Sequence, residues 1–452
     1  MTQMPDQPPP RRAAVRGRPR MAWVAIVLAV ALLVWLQAQA EPAPVDPDAP
    51  PNPELVAVGR VTVALERMLP TRPDAPNPVS ADVLRSLARP PVADHEAVAL
   101  VVLEAESAGR DAALARIDNL RRGAGGDLLA DLDALETLYR QGPEAITDAQ
   151  RDALLQRRTW FGRLALTHGL DADDPQRQAV LAQASRTLAG MTAVLAGVGL
   201  GLLAGLALLV VAIVALAVGK IRRAYRPSRR TPTGVFLETV AVFLVAWIGL
   251  TVLSAVIEAR LGVRLSPAVP LLLVLTLFWP LARGVGWAAF ARGMGLSRGR
   301  GILREMGAGI VGYVAGLPIL AVGFVLTLLL IHYTGLAPEH PVQRELADPE
   351  PLMAIGMLLL ALVWAPIVEE LVFRGAFYHH MRRAAGVLVS ALVVGFFFAV
   401  IHPQGAAGVP VLMSIALVLA LIREWRGSIL GAVTAHFVHN GLIALLLVLI
   451  VW

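Results

Sequence analysis

Long apolar runs, separated by short basic segments, dominate the chain. An α-helix needs roughly 20 consecutive apolar residues to cross the hydrocarbon core of a bilayer. By this criterion the sequence predicts about nine spans, of which the seventh and eighth are short. They are 21–40, 188–218, 235–257, 267–287, 306–333, 351–372, 386–402, 408–422 and 428–451. The pattern therefore predicts an all-α polytopic membrane protein, with a core of about eight helices preceded by an N-terminal anchor helix.

The segment 41–186 breaks this pattern and has the character of a soluble domain. Its apolar residues recur at helical spacing, for example Leu128, Leu132 and Leu135, which favours about five to seven short helices. Pro-rich stretches at 41–52 and 70–79 are typical of linkers. The segment contains no lysine and more acidic residues than arginines. We interpret it as an extracytoplasmic helical domain whose partner the sequence does not identify.

The N-terminal region allows two interpretations. Residues 1–20 are rich in proline and arginine, which predicts a disordered, basic, cytoplasmic tail. The apolar run 21–40 ends at Ala38-Gln39-Ala40, the small-residue pattern of a signal-peptidase site. It is therefore either a retained transmembrane anchor or a removed signal peptide. The long basic region before it favours the anchor.

Charge and composition set the cellular setting. The net charge is +6, and the basic residues cluster beside apolar runs at 220–230, 283–304, 382–383 and 423–426. This is the positive-inside pattern rather than that of a nucleic-acid-binding protein. It predicts a multi-pass protein of the inner (cytoplasmic) membrane, in which the basic segments lie on the cytoplasmic side and the acidic loop 334–350 lies outside. The N-terminus is then cytoplasmic and the C-terminus lies outside. The 56% hydrophobic content and mean hydropathy of +0.63 agree with a membrane protein. The absence of cysteine excludes disulfides and thiolate chemistry.

Two adjacent carboxylates, Glu369 and Glu370, lie inside the apolar stretch 354–377. Each ionisable group within a span costs a few kcal/mol, so such residues usually face a wet cavity or the protein interior and mark function. Arg374 follows Glu370 by four residues, on the same helical face. A Glu370–Arg374 pair would neutralise one carboxylate and leave Glu369 free for chemistry.

Later spans carry polar groups that can reach the same level. The chain must reverse near 384–386, so Glu369 and His402 both lie roughly 24 Å from the turn at 1.5 Å per residue. His436 and Asn440 are four residues apart on the last span and share a helical face. His439 lies nearby and fits the pattern less well, so we assign it a supporting position. We therefore expect a polar site built from three helices.

This set of groups suits amide hydrolysis by an activated water. A carboxylate in an apolar pocket can act as a general base, while an imidazole and an amide can donate to an oxyanion. Zinc bound by Glu369, His402 and His436 is the competing interpretation. The chain has no H-E-x-x-H motif, and asparagine is a poor zinc ligand, which favours a site that requires no cofactor.

Three motifs resemble those of the CPBP family of intramembrane endopeptidases. This family includes CAAX prenyl endopeptidases, sometimes called metalloproteases, and bacterial bacteriocin-processing and self-immunity (Abi) proteins. Its pattern is E-E-x-x-x-R, F-x-x-x-H and H-x-x-x-N, matched here by Glu369-Glu370-Leu-Val-Phe-Arg374, Phe398-Ala-Val-Ile-His402 and His436-Phe-Val-His-Asn440. The resemblance implies an intramembrane protease domain at 187–452, although its core covers only about 350–450. The first span and the exported domain lie outside it.

The resemblance also implies residue roles. Glu369 would activate water with the help of His402, while His436 and Asn440 would form the oxyanion hole. Glu370 and Arg374 would hold the first helix of the site. The expected substrate is a membrane protein or peptide. A non-catalytic membrane scaffold or immunity factor, whose exported domain binds a partner, is the alternative function. A transporter that uses the buried carboxylates is disfavoured because no inverted repeat is evident.

Overall fold

The computed structural model describes residues 17–39, 53–69, 81, 83–85, 94–227, 233–263, 269–334, 355–356 and 358–451. Every regular element within these ranges is helical, and no strand occurs among them. Among the described residues, five helices are long and apolar enough to cross a membrane. The prediction of an all-α polytopic membrane protein is confirmed. Most of the tail 1–20, Ala40 of the Ala-x-Ala pattern, the linkers 41–52 and 70–79 and nearly all of the loop 334–350 lie outside the described residues.

The described helices are numbered here in chain order. They are α1 (Pro19–Gln39), α2 (Pro53–Met68), α3 (Asp94–Ala108), α4 (Arg110–Arg121), α5 (Gly126–Gln141), α6 (Asp148–Leu166), α7 (Pro175–Ala217), α8 (Thr233–Leu261), α9 (Val269–Leu273), α10 (Trp279–Ala282), α11 (Trp287–Met294), α12 (Ile302–Thr334), α13 (Ala365–Glu370), α14 (Tyr378–Ala384), α15 (Val387–Val400), α16 (Gly405–Arg426) and α17 (Leu430–Val451).

Two compact units divide the chain. One comprises Met1–Ala40 with Gly199–Ala444, and the other comprises Glu41–Val198 with Leu445–Trp452. We call them the membrane unit and the helical unit. The division falls inside α7, a single helix of 43 residues, so the chain passes from the helical unit into an apolar span without a break.

The helical unit contains α2 to α6 and the first part of α7, built around a buried apolar core. Helix α6 begins with a capping box, in which the Thr147 hydroxyl accepts from the backbone N–H of Gln150 and the Gln150 side chain accepts from the backbone N–H of Thr147. Deeper in the unit, the buried carboxylate of Asp131 accepts a hydrogen bond of 2.6 Å from the buried guanidinium of Arg158. The buried charges of Asp131 and Arg158 thus compensate one another.

Close helix packing in the membrane unit depends on small residues. Gly312 and Gly316 on α12 lie against Ile422 and Val418 of α16, where an added Cβ would come within 2.6 Å and 2.4 Å of their side chains. Without a hydrophobic driving force between helices in lipid, such close backbone approach is a main source of helix association. These contacts fix α16 against α12, and α15 packs on α16.

Two predicted spans are not continuous α-helices. The predicted span 267–287 is not one helix, because α9 passes through a 3₁₀ turn (Val274–Phe278) into the short α10, with Pro280 in the first turn of α10. The predicted span 351–372 is interrupted by a π-helical turn at Leu360–Trp364. Helix α16, by contrast, has 22 residues and is longer than the predicted span 408–422.

The four basic segments meet at one end of the membrane unit, where Arg382 of the third segment donates to the Glu424 carboxylate. Backbone N–H groups of Ala224 and Tyr225 donate to the Glu424 carbonyl, and the Ile429 N–H donates to the Gly295 carbonyl. Arg426 donates to Glu305 at 2.8 Å. These contacts agree with basic segments on one side of the membrane, whereas the identity of that side stays a prediction.

Glu106 of the helical unit makes the stability of this unit pH-dependent. Burial opposes its ionisation, but hydrogen bonds from His168 and Arg177 outweigh burial and hold the pKa of Glu106 below its usual value. A lowered folded-state pKa contributes stability that is present above the unfolded value of about 4.3 and is lost as pH falls through the folded value.

We therefore expect Glu106→Gln to lower the unfolding temperature of the helical unit at pH 7, with the deficit shrinking below about pH 4. Because the chain has no cysteine, a cysteine introduced at the buried Ala113 can report unfolding of this unit in the full protein through its thiol accessibility. The exposed Glu144→Gln is the matched control and should unfold like the parent at each pH. A deficit for Glu106→Gln that is constant across pH would contradict the assignment.

Candidate active site

A short helix between two π-helical turns carries the paired glutamates. Helix α13 (Ala365–Glu370) lies between Leu360–Trp364 and Leu371–Phe377, both of which are π-helical. Such wide turns are rare and are frequent at functional sites. Local backbone geometry therefore sets Glu369 and Glu370 apart from an ordinary span.

Pro366 accounts for an unusual contact in the first π-helical turn. The Ala365 N–H donates to the Leu360 carbonyl, in π-helical register. In the same register the Ala361 carbonyl would accept from residue 366, but proline has no N–H to donate. The Asn440 side chain fills this place, because its Nδ2 donates to the Ala361 carbonyl at 2.8 Å. Asn440 thus satisfies a backbone group that lipid could not satisfy.

Glu370 is the buried, structural carboxylate of the pair. Its Oε1 accepts a hydrogen bond of 2.8 Å from Arg374, and both side chains are 0% exposed. Nδ1 of His436 lies 3.1 Å from the same oxygen. Because Arg374 keeps this carboxylate an acceptor, His436 Nδ1 is the donor. The pair joins residues four apart although the chain between them is π-helical.

Glu369 faces an accessible space beside two imidazoles. Its side chain is 25% exposed, and its Oε2 lies 3.9 Å from Nε2 of His402 and 3.9 Å from Nε2 of His436. These separations are too long for direct hydrogen bonds. They suit one bridging water, which would lie about 2.8 Å from each of the atoms it joins.

His402 follows the end of α15 and is oriented by Phe398. Its Nδ1 lies 2.5 Å from the Phe398 carbonyl, so Nδ1 is the donor and Nε2 points toward Glu369. The Phe398 ring lies 4.4 Å from the His402 ring and 4.7 Å from the Arg374 guanidinium carbon, measured from the ring centroid. The Phe398 ring therefore packs between the buried Arg374 and the partly exposed His402.

The predicted residues are thus only partly brought together. Glu369, His402 and His436 converge, and Glu370 with Arg374 joins them through His436. The Asn440 side chain donates a hydrogen bond to the Ala361 carbonyl and not to the Glu369 carboxylate. His439 lies against α12, where its Nδ1 is 3.2 Å from the Tyr313 hydroxyl.

Two features that the sequence interpretation did not use are the Ala361 carbonyl and the Phe398 ring. Pro366, five residues after Ala361 and inside an apolar run, was the available signal for the first of them. Phe398 is the first residue of the F-x-x-x-H motif, but the motif alone assigns no role to its side chain.

Comparison with known proteins finds one family to which this region is similar. Residues 351–442 match the family model described as "Type II CAAX prenyl endopeptidase Rce1-like". No curated protein matches the chain, and no solved structure matches it. The segment 351–442 is therefore Rce1-like, which confirms the recognition made from the motifs. The match covers the segment that holds the three motifs, and the long apolar helices are those of a multi-pass membrane protein.

The Glu370–Arg374 pair leads to a stability prediction. Arg374→Met keeps most of the side-chain volume but removes the guanidinium that is bonded to the buried Glu370, which should cost about 3–5 kcal/mol of stability. The double variant Glu370→Gln/Arg374→Met leaves no uncompensated charge and should recover part of that loss. Thermal unfolding in nanodiscs measures both. Equal unfolding temperatures for the single variant and wild type would show that the pair is not a buried ionic bond.

Proposed function

We propose that the protein is an intramembrane endopeptidase that hydrolyses peptide bonds with a water activated by Glu369. The observation that carries this proposal is the position of Glu369 Oε2, 3.9 Å from the Nε2 atoms of both His402 and His436. Of the two glutamates, only Glu369 has an accessible side chain, whereas Glu370 is fully buried. A reacting water therefore has one carboxylate to serve as its base.

In the proposed reaction, Glu369 takes a proton from the water as the water oxygen attacks the carbonyl carbon of the substrate. The tetrahedral intermediate then collapses with cleavage of the C–N bond, and Glu369 returns the proton to the leaving nitrogen. His402, oriented by its bond to the Phe398 carbonyl, holds the water beside Glu369. The products are a new carboxyl terminus and a new amino terminus.

The oxyanion is assigned to His436, with Asn440 beside it. In this proposal His436 carries a proton on both nitrogens, so that Nδ1–H donates to Glu370 and Nε2–H donates to the oxyanion. One N–H of the Asn440 amide is engaged by Ala361, and the other remains to assist.

Zinc fits this arrangement less well than water does. Ligands on a tetrahedral zinc at 2.0–2.2 Å stand about 3.4 Å apart, which is closer than the 3.9 Å from Glu369 Oε2 to each imidazole. Among the described residues, no three His, Asp or Glu side chains are arranged to hold a metal ion. In the proposed reaction, Glu369 therefore activates the water without a metal ion.

The first test removes the proposed base. Glu369→Gln keeps the shape of the side chain and should abolish cleavage, because an amide cannot accept the proton from water. Membrane fractions of cells that express wild type or variant can be compared by mass spectrometry for new peptide termini. Glu258→Gln, the same change on α8, is the matched control and should cleave like wild type.

Equal sets of new termini for Glu369→Gln and wild type would refute the proposed function. If Glu369→Gln also preserves the cellular phenotype while deletion of 41–186 abolishes it, the scaffold or immunity alternative is favoured.

A second test addresses the metal. We expect purified protein to retain its cleavage rate after prolonged treatment with a strong chelator, because Glu369 activates water without one. A comparison of rates before chelation, after chelation and after added zinc measures this. Loss of activity that zinc restores would replace the water-only mechanism with ligation by Glu369, His402 and His436.

A further inference from the structure

Helix α1 lies outside the Rce1-like segment, yet it is packed into the same unit. Ile26 of α1 is 0% exposed, and Ala22, Ala29 and Val30 are also buried in the core of the membrane unit. Their spacing of three to four residues forms one helical face, which packs on α8. A helix that only anchors a chain has no need for a buried face.

The N-terminal end of α1 is tied to α8 and α10 by a buried carboxylate. Glu238 of α8 accepts a hydrogen bond of 2.6 Å from the backbone N–H of Arg18. Its other oxygen accepts from the Trp279 indole at 3.0 Å and from Arg283. A free N–H at a helix start is thereby satisfied by a carboxylate, which also suits the positive end of the helix dipole.

The middle of α1 contacts the two elements that carry the site. The Trp23 ring lies 5.5 Å from the Phe377 ring, at the end of the π-helical turn that holds Arg374. It also lies 5.8 Å from the Phe397 ring of α15, the helix that precedes His402. Aromatic pairs at these distances add to the energy of packing.

The C-terminal end of α1 reaches the turn that carries His402. Gln37 Nε2 donates to the Ile401 carbonyl at 3.2 Å, across 364 positions of sequence. The last carbonyls of a helix have no intrahelical donors. At the end of α15, His402 satisfies the Phe398 carbonyl and Gln37 satisfies the Ile401 carbonyl, so the backbone on the N-terminal side of His402 is held from two directions.

We propose that α1 is retained as a structural helix of the catalytic unit, and that its Gln37 is a positioning residue for His402. The retention of α1 is independent of the chemistry, whereas the role of Gln37 in catalysis rests on the proposed function. The apolar run 21–40 is then neither a removed signal peptide nor a simple anchor.

The first experiment tests retention without any assay of activity. A recognition site for a specific protease is placed in the linker 41–52 of a chain with an N-terminal tag, and the purified protein is cut in detergent. We expect the tagged fragment that contains α1 to remain bound to the rest through size-exclusion chromatography. Elution of this fragment alone, or a mature N-terminus that begins after Ala40, would overturn the proposal.

The same experiment has a variant that should weaken the contact. Glu238→Gln removes the charge that holds Arg18 and Arg283, and Trp23→Ala removes the aromatic contacts with Phe377 and Phe397. The double variant should release the cut fragment at a lower detergent concentration than wild type does. Identical release would show that the observed contacts do not hold α1.

The second experiment tests Gln37, with Gln39 on the same helix as the matched control. Gln37→Leu removes the donor and keeps the side-chain size, whereas Gln39 is exposed. Hydrogen exchange of the turn 401–404 should be faster in Gln37→Leu and unchanged in Gln39→Leu. Equal exchange in Gln37→Leu and wild type would refute the positioning role, whether or not the protein cleaves peptides.

If cleavage is observed, Gln37→Leu should also lower kcat roughly tenfold, because small displacements of a catalytic group are costly, while KM stays unchanged. An unchanged kcat would refute the catalytic part of the proposal. Absence of cleavage by wild type would instead refute the proposed function. The hydrogen-exchange and co-elution experiments would still test whether Gln37 orders the turn and whether α1 is retained.

Discussion

The need to compensate buried charge shapes the whole membrane unit. Glu370 and Arg374 are both fully buried, and each would be costly alone in this apolar surrounding. Their pairing spans the first part of the π-helical turn Leu371–Phe377, and His436 bonds to the same carboxylate. Glu369 is left facing accessible space because its neighbour uses the available cation. The Glu370–Arg374 pair therefore determines both which glutamate is buried and structural and which one, Glu369, is accessible for chemistry.

Much of this architecture could be predicted from the sequence because charged residues in an apolar run are informative. The adjacent glutamates, the arginine four residues later and the level shared with His402 all follow from helical geometry, and the segment 351–442 is Rce1-like as the motifs predict. The hairpin between α14 and α15 also lies where the glycine and basic residues predict it.

What could not be predicted depends on backbone geometry that hydropathy does not encode. Nothing in the apolar pattern shows that residues 360–364 and 371–377 are π-helical. The contact of the Asn440 amide with the Ala361 carbonyl, which depends on the first of these turns, could therefore not be predicted. Contacts across hundreds of residues, such as Gln37 with Ile401, are equally invisible, because periodicity reports only on near neighbours.

The place of α1 has a consequence for biogenesis. This helix is synthesised before the other described helices, and its bonding partners follow 220 and 364 positions later, at Glu238 and Ile401. Until then its buried face must rest against lipid or against the insertion machinery. The nascent chain cannot complete the contact with Glu238 before α8 is made, and it cannot complete the contact with Ile401 before α15 is made. Such long-range closure delays assembly, so the polar cluster forms only when nearly the entire polypeptide is present.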